Sequence, residues 1–243
     1  FPNAGFHITL SGKRRKAWSA SHLVRKIDRP QKSKRGAATI ETIADIRKGV
    51  SGLRKICPAM RRVHDLVGDP PLRRLEPGFA GLAQVVVGQQ LSVASAGAIW
   101  KRTAQVVEPF EAATLLRHDV ARLRAAGLSQ GKVKTLRAIA DAIVSGALSL
   151  DRSEAEEDLR EALLAISGVG PWTADIYVMF CLGAQDGFAA GDLALQLAAQ
   201  RALGLDARPG VRELVDIAER WRPWRGIAAR LLWSLHAYRD RDA

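Results

Sequence analysis

Apolar residues along this chain recur every three to four positions. Leu159, Leu163 and Ile166 fall on one helical face that stops at Ser167-Gly168, and Trp172, Ile176 and Met179 fall on another that opens at Pro171. Glycine suits the end of a helix, and proline suits its first turn, where a missing N–H would be unpaired anyway. The pattern predicts two helices joined by the short turn Ser167-Gly168-Val169-Gly170. Beyond them, Phe188-Ala189-Ala190-Gly191 leads to Asp192, which opens a further apolar-periodic run ending near Gly204.

The same period fills the rest. Residues 38–67 read as one helix or two, interrupted near Gly52 and at Cys57-Pro58, with Ile40, Ile43, Ile46 and Val50 on one face and no strand period; Asp69-Pro70-Pro71 ends them. Residues 78–107 are a long apolar stretch with Gly88-Gln89-Gln90 in its middle and Ser92 placed to cap its second half. One amphipathic helix is expected over 111–124, then a polar loop over 127–134, then helix again from Lys134. The run SEAEEDL gives the helix before the hairpin an acidic first turn, as the dipole favours, and Pro223 divides two C-terminal helices. An all-α chain of about nine or ten helices is expected.

Charge changes this picture at one end. Of the net +12, residues 1–37 hold +9, from ten Lys and Arg against Asp28 alone. Such an arm is either a flexible leader or a phosphate-tracking tail without sequence preference; residues 38–243 form the helical domain. With 243 residues, 47% of them apolar, there is ample material for a core. Cys57 and Cys181 read as buried thiols of a reducing cytoplasm, and two cysteines cannot build a four-cysteine iron–sulfur cluster. No apolar run reaches membrane-spanning length. The first residue is Phe1, as in a fragment, a processed form or a translated upstream region.

Three places invite chemistry. The paired glycines of the hairpin let the backbone approach a ligand while the next helix points unpaired N–H groups outward, which suits a phosphate; an ordinary helical connection would carry the same residues. Asp192 has the position of an N-cap, and a carboxylate there is also free to face a cleft kept open by small neighbours. Lys132 and Lys134 stand at a helix start, where the dipole disfavours cations, so either they meet an external anion or they are simply solvated.

Together, LLAISGVGPWTADIYVMF, the isolated aspartate of GDLALQ, VVVGQQLSVASA upstream and AERWRPWRGIAARLLW downstream resemble the helix-hairpin-helix DNA glycosylase superfamily, in its 3-methyladenine DNA glycosylase II branch. The resemblance covers roughly residues 54–238, with the motifs in the family's order. It implies a two-lobed helical fold without the extra N-terminal β lobe of some members, a cleft holding Asp192, and a helix-hairpin-helix at about 155–182. Damaged double-stranded DNA is the implied partner of a cytoplasmic monomer with no membrane contact.

The resemblance also distributes roles. Gly168, Val169, Gly170 and Thr173 would hold the DNA backbone, with a monovalent cation among the carbonyls of Ser167 and Val169; Gln90, and less directly Gln89, would plug the gap left by an extruded nucleotide, and Lys132 would touch phosphate. Asp192 would be catalytic, and Trp172 and Tyr177 would line the base pocket, although Trp172 also reads as a hydrophobic anchor. Members that cut the strand carry a lysine where this chain has Trp172, and Ala189 replaces a frequent proline. The implied activity is monofunctional excision of alkylated purines in base excision repair; the alternatives are another lesion on the same fold, or a non-catalytic DNA-binding hairpin. Trp221, Trp224 and Trp233 read as core or cleft wall, and Arg222, Arg225 and Arg230 as solvated or facing phosphate.

Overall fold

A computed structural model of the protein describes residues 38–150 and 156–239. The basic arm of residues 1–37 lies outside the described residues, as does the acidic start at 151–155.

The caps show why the helices begin where they do. Helix α1 (Ile43–Ile56) opens on a capping box: the Thr42 hydroxyl accepts from the Asp45 N–H, and the Asp45 carboxylate accepts from the Thr42 N–H. Helix α2 (Pro58–Val67) starts on proline, so the chain breaks at Cys57, while Gly52 lies inside α1. The expected break at Gly52 is absent because that glycine serves a close approach. A β-carbon there would stand 2.4 Å from Trp224 Nε1, and one at Gly49 would stand 2.5 Å from Ile227 Cγ1.

Helices α3 (Phe79–Gly88) and α4 (Val93–Val106) flank the Gln89–Gln90 turn, with Ser92 capping α4 as expected. The single helix expected over 111–124 is two, α5 (Ala112–Arg117) and α6 (Val120–Ala125). The Asp119 carboxylate accepts from the Arg122 N–H at 2.6 Å and begins a new helix. Helix α7 (Gln130–Val144) also starts earlier than expected, because Ser129 caps it by accepting from the Lys132 N–H. Of the stretch read as loop over 127–134, residues 130–134 therefore belong to the start of α7, and 127–129 remain outside it.

Helix α8 (Glu156–Leu164) and helix α9 (Pro171–Tyr177) form the hairpin, and α9 runs on into a π-helical turn (Val178–Leu182) that ends at Gly183. Then follow α10 (Leu193–Leu203), α11 (Val211–Glu219) and α12 (Arg225–Arg239). Twelve α-helices are thus present among the described residues, more than the nine or ten expected, and these residues form no strand; Thr39 and Ala184 make an isolated bridge.

Two groups of helices result. Helices α1, α2, α10 and α12 lie against one another, whereas α3 to α7 form a second group that α9 joins through α3 and α8 joins through α9. Leu53, Met60, Leu82, Leu136, Ile139 and Trp221 are fully buried. Each such aliphatic side chain contributes about 1.5–3 kcal/mol of hydrophobic stabilisation. Cys57 and Cys181 are buried free thiols, and burial pushes Cys181 up to about 12. No helix among the described residues is long and apolar enough to cross a membrane.

Candidate nucleic-acid interface and active site

The hairpin turn is fixed by steric necessity. Gly168 has φ +89, a left-handed value, and a β-carbon on it would stand 1.9 Å from Thr135 Oγ1 on α7. Only glycine satisfies both demands. The Val169 N–H donates back to the Ile166 carbonyl at 3.0 Å, which tightens the turn beyond the end of α8 at Leu164, and the Ala174 N–H donates to the Gly170 carbonyl at 3.1 Å, which opens the next helix. Pro171 occupies the first turn of α9, and Gly170 caps it without a side chain, so N–H groups at this end face outward. Among the described residues, no backbone N–H donates to the Ser167 or Val169 carbonyls.

Asp192 is fixed from a distance. Its backbone N–H donates to the Ala189 carbonyl at 2.9 Å, and Ala189 and Ala190 are buried beneath it. Oδ1 accepts from the Leu195 N–H at 3.0 Å, which makes Asp192 the N-cap of α10, and also from the indole N–H of Trp233 at 3.0 Å. Oδ2 accepts from the indole N–H of Trp172 at 2.8 Å. Three donors on α9, α10 and α12 thus orient one half-buried carboxylate where the two groups of helices meet. A β-carbon at Gly191 would meet nothing within 4 Å, so the approach is open.

Each tryptophan that holds Asp192 also walls a cavity. Trp172 lines one of 520 Å³ with Phe188, Gly191, Asp175 and Asp186. Trp233 lines one of 270 Å³ with Phe180, Arg230, Arg73 and Asp69. In the first, burial raises the Asp175 carboxyl despite Arg160 at 2.7 Å. In the second, Arg230 is 3% exposed, its guanidinium donating to the Gly226 and Met179 carbonyls at 3.0 and 3.1 Å and lying 4.7 Å from the Phe180 ring centre. Burial pushes it down to about 10.

Several expectations about residues change here. Tyr177 is in the wall of neither of these two cavities: it is fully buried, and its hydroxyl accepts from the Gly78 N–H at 2.9 Å, fixing the start of α3. Lys132 finds acceptors inside the molecule, its ammonium donating to the carbonyls of Val87 at 2.8 Å and Gln89 at 2.9 Å at the end of α3. Arg222 and Arg225 are engaged by Asp186 and Glu219. Gln89 donates from Nε2 to the hydroxyl of the buried Thr173 at 2.8 Å, tying the α3–α4 turn to the hairpin, while Gln90 stands exposed at the tip with φ +56. Trp233, read as core or cleft wall, does line a cavity; what the sequence does not carry is its bond to Asp192, which spans 41 positions and leaves no local pattern.

Comparison with known proteins fits this geometry. A family model described as HhH-GPD superfamily base excision DNA repair protein matches residues 83–223. DNA-3-methyladenine glycosylase 1 of Schizosaccharomyces pombe is 29% identical over 210 residues, covering 82% of this chain and 92% of that protein. The probable bifunctional transcriptional activator/DNA repair enzyme AlkA of Mycobacterium tuberculosis is 41% identical over 105 residues, 43% of this chain; the match spans only 21% of that longer protein. Among solved structures, the S. pombe 3-methyladenine DNA glycosylase in complex with abasic DNA superimposes with a TM-score of 0.71 at 27% identity, over 76% of this chain and 95% of that one.

Proposed function

The chain belongs to the HhH-GPD superfamily of base excision DNA repair proteins, and from that premise we propose that it is a monofunctional DNA glycosylase, hydrolysing the N-glycosidic bond of alkylated purines of the 3-methyladenine and 7-methylguanine kind. The observation that carries this reading is the Asp192 carboxylate, held by two indole N–H groups and a helix N-terminus, with each of the two indoles walling a cavity.

The chemistry follows from what each group can supply. A glycosidic carbon inside the duplex is unreachable, so the nucleotide leaves the stack first. Gln90, exposed at a turn tied to the hairpin, fills the gap, and the turn at Gly168 to Gly170, with Thr173, grips the backbone beside it. Alkylation leaves the purine cationic and already a good leaving group, so no general acid is required. The sugar gains oxocarbenium character as the bond lengthens, and a fixed carboxylate stabilises that charge without reorganising. Asp192 does this and orients the attacking water. Trp172 presents its ring to a cavity, where contact with an electron-poor base is worth about 1–2 kcal/mol once desolvated. Trp233 presents a second ring on the other side of the carboxylate.

Strand cleavage needs an amine that attacks the sugar. The hairpin has Trp172 in that position, and the Lys132 ammonium is held by carbonyls, so an intact strand with an abasic site is the product. The protein acts as a monomer on double-stranded DNA and needs no iron–sulfur cluster. The Ser167 and Val169 carbonyls are hard oxygen donors of the type a monovalent cation takes, and such an ion would bring positive charge to the phosphate held at the turn.

Single-turnover release of 3-methyladenine and 7-methylguanine from alkylated duplex, with strand integrity scored before alkali, tests the proposal. Free base from an uncut strand is the expected result. Cleavage before alkali contradicts the monofunctional chemistry, and the absence of release contradicts the lesion class.

A further inference from the structure

We propose that the helical turn from Lys132 to Thr135 near the start of α7 is a brace that sets the spacing between the extrusion wedge and the backbone clamp, with Lys132 and Thr135 as positioning residues. The inference rests on the glycosylase reading for the names of those two parts, and on geometry for the brace itself. At one end of that turn, the Lys132 ammonium donates to the Val87 and Gln89 carbonyls, on either side of Gly88. Those groups belong to the end of α3, where carbonyls lack helical partners and the dipole favours a cation. One helical turn along α7, Thr135 Oγ1 lies against Gly168 so closely that no side chain fits there. The Gln89 side chain closes the circuit by donating to Thr173 at 2.8 Å, one turn into the clamp's second helix.

What this circuit holds is strained. Gln90 has φ +56, a left-handed conformation that disfavours any residue with a β-carbon and persists only where its surroundings impose it. The ammonium holds the carbonyl immediately before Gln90. Without it, the turn is free to relax and the wedge to lose its aim, while the face of the protein that meets phosphate is unchanged. Lys132 thus acts on extrusion through Gln90, and not on affinity through phosphate.

The test is Lys132→Met, alone and combined with Gln90→Ala, beside Lys132→Arg. The readouts are the single-turnover excision rate, the fluorescence of a 2-aminopurine placed beside an abasic analogue in duplex DNA, and the salt slope of binding to undamaged duplex. Fluorescence reports the wedge without chemistry, so it reads the brace even where no base is released, and a failure of the glycosylase reading is recognised separately by an inactive parent protein. Lys132→Met should lower the fluorescence gain and the excision rate at least tenfold with the salt slope unchanged, Lys132→Arg should recover most of both, and on the Gln90→Ala background the methionine should add less than twofold. A salt slope reduced by about one unit, the signature of a lost phosphate contact, would overturn the proposal. So would full additivity with Gln90→Ala, or an unchanged fluorescence gain in Lys132→Met.

Discussion

The hairpin turn and the Asp192 site hold their geometry by opposite means. The backbone path of the turn is set mainly within a few consecutive residues, where one left-handed glycine, the Val169 and Ala174 backbone bonds and Pro171 leave the chain little choice, with Thr135 of α7 packed against that glycine. The Asp192 carboxylate has one local partner, the Leu195 N–H, and two distant ones, Trp172 at 20 positions and Trp233 at 41. A local device fails all at once when its key residue changes. A distributed one loses its partners singly, so its substitutions should give graded losses in rate with little loss in binding.

The largest effect expected from breaking that contrast is at Gly168. Gly168→Ala meets both the left-handed φ and the contact with Thr135, so affinity for damaged duplex should fall about 100-fold, with stability reduced by about 1–3 kcal/mol; equilibrium binding and chemical unfolding measure the two. At the distributed site, Trp233→Phe keeps a ring in the cavity and removes one donor to Oδ1. Excision should slow about 10-fold, the loss of roughly 1.4 kcal/mol of orientation, with binding within threefold of the parent. Should affinity fall in step with rate, Trp233 is a DNA contact and the two regions are not separate devices.

A smaller effect sharpens the boundary of the site. Tyr177→Phe removes the acceptor for the Gly78 N–H and should cost about 1 kcal/mol in thermal or denaturant unfolding while base release stays as in the parent. Altered release would return Tyr177 to the base pocket. The smallest is at Arg222, which is committed to Asp186 and Glu219: Arg222→Ala should leave the salt slope of DNA binding unchanged, because no phosphate contact is lost with it.

The same contrast explains what was legible in the residues themselves. The helix ends at Ser92, Cys57-Pro58 and Asp192 are written in local chemistry, and so is the hairpin turn, although α8 stops at Leu164, short of the expected Gly168. The split between α5 and α6 is local as well, yet Asp119 sits three residues before Arg122 inside an otherwise continuous apolar period, and the cap prevailed over that period. Other features depend on tertiary partners that carry no sequence spacing. Lys132 looked like a misplaced cation because the carbonyls it serves lie more than forty positions away on α3. Tyr177 is fully buried, and only packing brings the Gly78 N–H, 99 positions away, to its hydroxyl. Gly52 looked like a helix break, and Trp224 across the helix contact made it a site of close approach instead.

Asp192→Asn is the substitution that bears on the centre of this account. The amide keeps the size of the side chain and can still accept from an indole N–H and from Leu195, but it carries no charge to stabilise the developing oxocarbenium ion. Single-turnover release of 7-methylguanine from alkylated duplex at saturating protein should fall by at least about 100-fold, with affinity for an abasic analogue within threefold of the parent. Release at the parental rate from the asparagine variant would remove the carboxylate from the chemistry and contradict the mechanism.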